Sequence, residues 1–81
     1  NDRGTWKVSS YSRMAITFAK LGDADSACFY INKCIPYLDY FFPKDRVVVM
    51  DNIGYLNQER NPELALKYLN MALATYPSVD T

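Results

Sequence analysis

The sequence predicts an all-α domain, and three observations carry that reading. Apolar residues recur at three- and four-residue spacing in four separate stretches, the period of a helix with one buried face. Proline, glycine and Asn or Asp fall between those stretches, where helices stop and start. The β-branched run Val47–Val49 could be read as a strand, but no second strand exists to pair with it, and a lone strand is unstable. At 81 residues the chain is one small domain, 1–81, with a marginal core, because short chains bury a smaller share of their surface.

Each element follows from its residues. In the first, Tyr11, Met14, Ala15, Phe18 and Leu21 form one apolar stripe. It stops at Gly22, which suits the left-handed conformation just past a helix C-terminus. Asp23 is placed to cap a second helix, with Asp25 in its first turn favoured by the helix dipole. That helix carries Ala27, Ile31, Cys34 and Leu38 on one face. Pro36 removes a backbone donor and predicts a kink or an early end, followed by the aromatic segment YLDYFF. Pro43-Lys44-Asp45 breaks the chain again, and Asp45 is placed to cap a third helix, RVVVMDNIGYLNQER. The fourth start is the clearest: Asn61 as N-cap, Pro62 at the first helical position, Glu63 in the first turn. Ala65, Leu69, Ala72 and Leu73 then share a face, Pro77 is expected to end the helix, and SVDT to fray.

Composition excludes several classes of function. Half the residues, 49%, are apolar and 15% aromatic, too many for intrinsic disorder. Nine Lys and Arg balance nine Asp and Glu with no basic run, so the chain offers little to a phosphate backbone and no nucleic acid is expected. A DNA-reading helix would need more than the single lysine and asparagine of PELALKYLNMALATY. No apolar run reaches the roughly 18 residues a membrane span needs. There is no histidine, so the commonest general base and zinc ligand are both missing. The chain lacks an initiating methionine and a signal-peptide core, reads as a piece of something longer, and names no compartment.

LGDADSACFYINKC, residues 21–34, invites sharper readings. D-x-D opens a calcium loop, but Ala27 stands where a third oxygen ligand belongs and Cys28 where a glycine does. No glutamate stands near Ile35. The pair therefore reads as a helix corner. Cys28 and Cys34 lie six apart on one predicted helix, about 600° and about 9 Å, beyond the reach of a disulfide. Cys34 reads as a small buried thiol, whereas Cys28 falls off that face and is expected to be the more accessible. Ser9, Ser10, Ser12 and Ser26 have no base beside them, and the three glycines are too scattered for a phosphate loop. No enzymatic activity, cofactor or metal is expected.

The two halves repeat one another. AITFAKLGDADSACFYINKC aligns with GYLNQERNPELALKYLNMA. In each, a small residue (Ala15, Gly54) precedes a polar corner. An alanine (Ala27, Ala65) then opens the next helix, followed by a bulky residue four later (Ile31, Leu69) and a small one three after that (Cys34, Ala72). Antiparallel helices approach closely only where side chains are small. The pattern resembles the tetratricopeptide repeat, a helix–turn–helix unit of about 34 residues. Its A-x3-F…P signature is matched by Ala65, Leu69 and Pro77, and in part by Ala27 and Ile31, with Phe18 as the helix-A aromatic and Tyr11, rather than Trp6, in the tryptophan's place. There are departures: Ala27 and Ala65 lie 38 apart, the second corner is one residue short, and Asn57 stands where an aromatic is usual.

The resemblance implies two antiparallel hairpins, about four helices, stacked as a right-handed α-α superhelix, with repeats over about 8–42 and 45–77. It also implies a concave groove lined by first helices. Carried over by alignment, the groove residues are Ser9, Ser12, Ile16 and Lys20, then Val48, Asp51, Tyr55, Gln58 and Glu59. Members that grip a peptide carboxylate use lysine and asparagine at places held here by Ser12, Ile16 and Asn52; only Asn52 agrees, so no such clamp is implied. The expected function is a non-enzymatic scaffold that presents this groove to a protein or peptide. The alternative is a regulatory or sensor segment of a multidomain signalling or transcription-regulatory protein. Tyr30, Tyr37, Tyr40, Phe41, Phe42, Tyr68 and Tyr76 exceed what two hairpins can shield, so further repeats or self-association are expected to cover them.

Overall fold

The computed structural model describes the backbone of residues 2–79 and the side chains of residues 9–75. The side chains of Trp6 and Tyr76 and the last two residues of the expected frayed tail lie outside what is described. The chain folds into helices α1 (Asp2–Lys20), α2 (Ala24–Asn32), α3 (Pro43–Asn57) and α4 (Pro62–Val79), with a 3₁₀ segment, Ile35–Tyr40, between α2 and α3. No strand occurs among the described residues, and the valine run lies inside α3.

Corner chemistry explains where the helices turn. At the end of α1, Gly22 takes φ +84°, its N–H donates to Ala19 O at 3.1 Å, and the Asp23 N–H donates to Phe18 O at 2.9 Å. This pair of bonds satisfies carbonyls that the helix end would otherwise strand, and the positive φ favours glycine. Asp23 then caps α2: its carboxylate accepts from Ser26 N at 3.1 Å and from the Ser26 hydroxyl at 2.8 Å. Those two bonds hold its carboxyl below the usual value of 3.8. Asn61 caps α4 in the same way, accepting from Leu64 N at 3.2 Å. Both connectors are too short to cross over, so each pair of touching helices, α1 with α2 and α3 with α4, runs antiparallel.

Three boundaries differ from the sequence expectation. α2 ends at Asn32, and the chain tightens into the 3₁₀ segment with Pro36 in its opening turn. α3 opens at Pro43, two residues before the expected cap, so Asp45 lies in its first turn and does not cap it. A proline at the first helical position loses no helical hydrogen bond, and its fixed φ is already helical. Phe42, at the N-cap, provides no side-chain cap. Arg46 ties this junction instead, donating to Leu38 O at 3.1 Å and to Phe41 O at 3.2 Å. α4 continues through Pro77 to Val79, since a proline this near the end costs only a final-turn bond.

The core forms where the hairpins meet. Ala15, Ala27, Ile31, Cys34 and Ile53 are fully buried, and burying each isoleucine contributes about 1.5–3 kcal/mol. In the second hairpin a Cβ on Gly54 would overlap the Leu69 side chain and stand 3.1 Å from the Ala65 carbonyl oxygen. Glycine is what lets α3 and α4 approach so closely. Three residues assigned to buried stripes are exposed: Met14, Leu21 (74%) and Leu73 (72%). Leu21 sits at the turning corner, and Leu73 lies a hundred degrees round the helix from Ala72, on the exposed side of α4 that also carries Leu66. Tyr68, buried at i+3 from Ala65, fills the place expected of Leu73. α2 packs on α3 as well as on α1, and so joins the two hairpins.

Candidate interaction surface

α1 and α3 face each other across a furrow. Its near end, a depression of about 280 Å³, is lined from α1 by Ser9, Ser12, Arg13 and Ile16 and from α3 by Asp45, Val48 and Val49, with Phe41 beside them. The middle, about 270 Å³, is lined by Ile16, Ala19, Lys20, Asn52, Tyr55 and Leu56. The far end, about 290 Å³, runs from Ala19, Gly22 and Ala24 to Tyr55, Leu56, Gln58, Glu59 and Arg60. Shared residues make these three one continuous channel. Early α1 residues oppose early α3 residues, and late oppose late, so α1 and α3 run in the same direction.

Helical period explains the lining. Ser9, Ser12, Arg13, Ile16, Ala19 and Lys20 form one stripe of α1, and Asp45, Val48, Asn52, Tyr55 and Leu56 one stripe of α3. Of the ten residues singled out by alignment, Ser9, Ser12, Ile16, Lys20, Val48, Asn52, Tyr55, Gln58 and Glu59 line the channel. Asp51 does not; it is exposed on α3 outside the three depressions. The channel adds Arg13 and Asp45, which the alignment leaves out. Helical spacing could have found them, since each lies three or four residues from a chosen neighbour.

Behind the channel lies a polar cluster that the sequence reading misses. Asn57 is 1% exposed. Its amide nitrogen donates to Asn32 Oδ1 at 2.8 Å and to Ile53 O at 2.7 Å. Its oxygen accepts from Asn32 Nδ2 at 3.2 Å and from the Cys28 thiol at 3.0 Å. Every hydrogen-bonding site of that amide is used. The signal was a polar residue four and seven positions beyond the buried Ile53 and Met50, on an apolar face. Cys28, expected to be the more accessible thiol, is buried against this cluster. Burial pushes its pKa up, offset in part by the Asn32 amide. Burial also pushes Cys34 up to about 11. Neither thiol is a thiolate near neutral pH, so neither is a ready nucleophile.

The aromatic surplus divides in two. Phe41 and Tyr68 are buried in the core, and Tyr30 stacks on Phe18 at 5.6 Å with Tyr11 at 6.3 Å. Tyr37, Tyr40 and Phe42 remain exposed, as do Leu66 and Leu73 on the outer side of α4. Among the described residues no cluster of metal-ligating side chains occurs, and no helix is long and apolar enough to cross a membrane. Compared with known proteins, the chain matches no family model, no curated sequence and no solved structure.

Proposed function

We propose that this chain is a non-enzymatic protein-interaction module of the tetratricopeptide type, which binds a partner's segment in the furrow between α1 and α3. The observation that carries the reading is the furrow itself. It is continuous along both helices, its rim is polar, and it exposes Ile16, Val48 and Tyr55 to solvent. Exposed tyrosine and aliphatic side chains gathered in a groove are typical of recognition surfaces, where burial on binding supplies the driving force. Parallel first helices, with second helices packed behind them, are what a stack of such repeats requires.

Selection of peptides from a random library against the chain tests this. Selected peptides are expected to lose binding to an Ile16→Glu/Tyr55→Glu variant and to keep it with Leu73→Glu on the outer side of α4. All three side chains are exposed, so the fold tolerates these changes. Equal binding by Ile16→Glu/Tyr55→Glu and the parent chain would overturn the reading.

A further inference from the structure

The two walls of the furrow carry opposite charge. α1 presents Arg13 and Lys20, seven residues and so about 10.5 Å apart along one helix face. The α3 side presents Asp45 and Glu59, fourteen residues and about 20 Å apart; Arg60, which also lines the far end, is engaged in an ion pair with Asp25. Along the same two stripes lie the exposed apolar side chains of Ile16, Val48 and Tyr55. Facing walls of opposite sign would be expected to close on each other in ion pairs. They do not: Arg13 and Asp45 line the same depression without pairing, and among the described residues no ion pair engages Arg13, Lys20, Asp45 or Glu59. All four are exposed. The four charges stay available to whatever lies in the channel.

Resting on the furrow reading above, we propose that the occupant is an amphipathic helical segment of a partner protein. Its apolar stripe lies on Ile16, Val48 and Tyr55, its acidic edge faces Arg13 and Lys20, and its Lys/Arg edge faces Asp45 and Glu59. The chain has no net charge, so it has no general attraction for acidic or for basic partners. Selection comes from the split between the walls, since a uniformly charged segment meets like charge along one side.

Three helical peptides that share a leucine stripe test the proposal. One has a Glu edge and a Lys edge, one has Glu on both edges, and one has Lys on both. At low salt the mixed peptide is expected to bind about tenfold more tightly than either uniform one, the sum of several exposed pairs. In roughly 0.5 M salt that advantage should largely vanish. Arg13→Glu/Lys20→Glu should turn the preference toward the all-Lys peptide, and Asp45→Lys/Glu59→Lys toward the all-Glu peptide. Arg13→Glu alone, in mid-helix, gives the same direction of change without touching a helix end. Equal binding of the three peptides, or a ranking unmoved by charge reversal while Tyr55→Glu still abolishes binding, sinks the charge-split occupant and leaves the furrow reading standing. Binding that is indifferent to Tyr55→Glu, or no binding of any peptide, overturns both.

Discussion

The two hairpins share several packing positions but part company three residues after the small residue of their first helix. In the first hairpin that place is Phe18, which stacks on Tyr30 of its own partner helix at 5.6 Å, the planes 7° apart. In the second it is Asn57, which reaches out of its hairpin to Asn32 and Cys28 on α2. The aromatic residue seals a hairpin from within. The asparagine sits where the other hairpin abuts it, and there a directional polar contact does what an apolar one cannot: it allows one register of α2 against α3. Two helical hairpins can thus share packing positions while the joint between them is specified separately.

The comparison can be broken most severely at Gly54. Gly54→Val forces a branched side chain against Leu69 and the Ala65 carbonyl, and is expected to destabilise by about 3 kcal/mol in urea unfolding. Ala15, the matching residue of the first hairpin, already carries a Cβ there. Next comes the joint. Asn57→Leu leaves the half-buried Asn32 amide and the buried Cys28 thiol without their shared partner and should cost about 2 kcal/mol. Asn32→Leu/Asn57→Leu should cost less than the two single changes together, and should broaden the amide spectrum as hairpin register loosens. Additive losses with sharp lines would count against a register role.

Smaller effects separate the corners. Gly22→Ala must place a Cβ at φ +84° and should cost about 1 kcal/mol. The second corner, which has no positive-φ residue, should tolerate Gln58→Ala. The smallest effect is pH-dependent. Asp23 has its folded pKa lowered below 3.8, so its capping stability is present above that value and is lost as pH falls through the lowered one. Asn61, which does not titrate, makes the corresponding cap at the second corner. Amide exchange should therefore show α2 fraying in acid before α4 does. An equal loss at both corners would rule out Asp23 as the cause.

The corners were the most legible part of the fold, because Gly22, Asp23 and Asn61 act on backbone groups within five residues of themselves. The start of α3 was less so: Pro43 reads equally as a breaker and as a first helical residue, and only the Arg46 contacts with Leu38 and Phe41 show which it is. Least legible was the joint. Asn32 and Asn57 lie 25 residues apart, and nothing local pairs them, so Cys28 was expected to be more accessible when it is buried. The channel was partly legible because helical period places Ser9, Ile16 and Tyr55 on stripes. Which stripe of α3 faces α1 depends on that same joint, so alignment alone put Asp51 in the groove; Arg13 and Asp45, which alignment leaves out, were within reach of helical spacing.

Titration of the isotopically labelled chain with the mixed-edge peptide, followed by amide chemical shifts, tests the central claim most directly. Shifts confined to the Ser9–Lys20 stripe of α1 and the Asp45–Glu59 stripe, with Leu66 and Leu73 unmoved, are the result predicted. Shifts gathered on the outer side of α4, or on Tyr37, Tyr40 and Phe42, would place recognition elsewhere and contradict it.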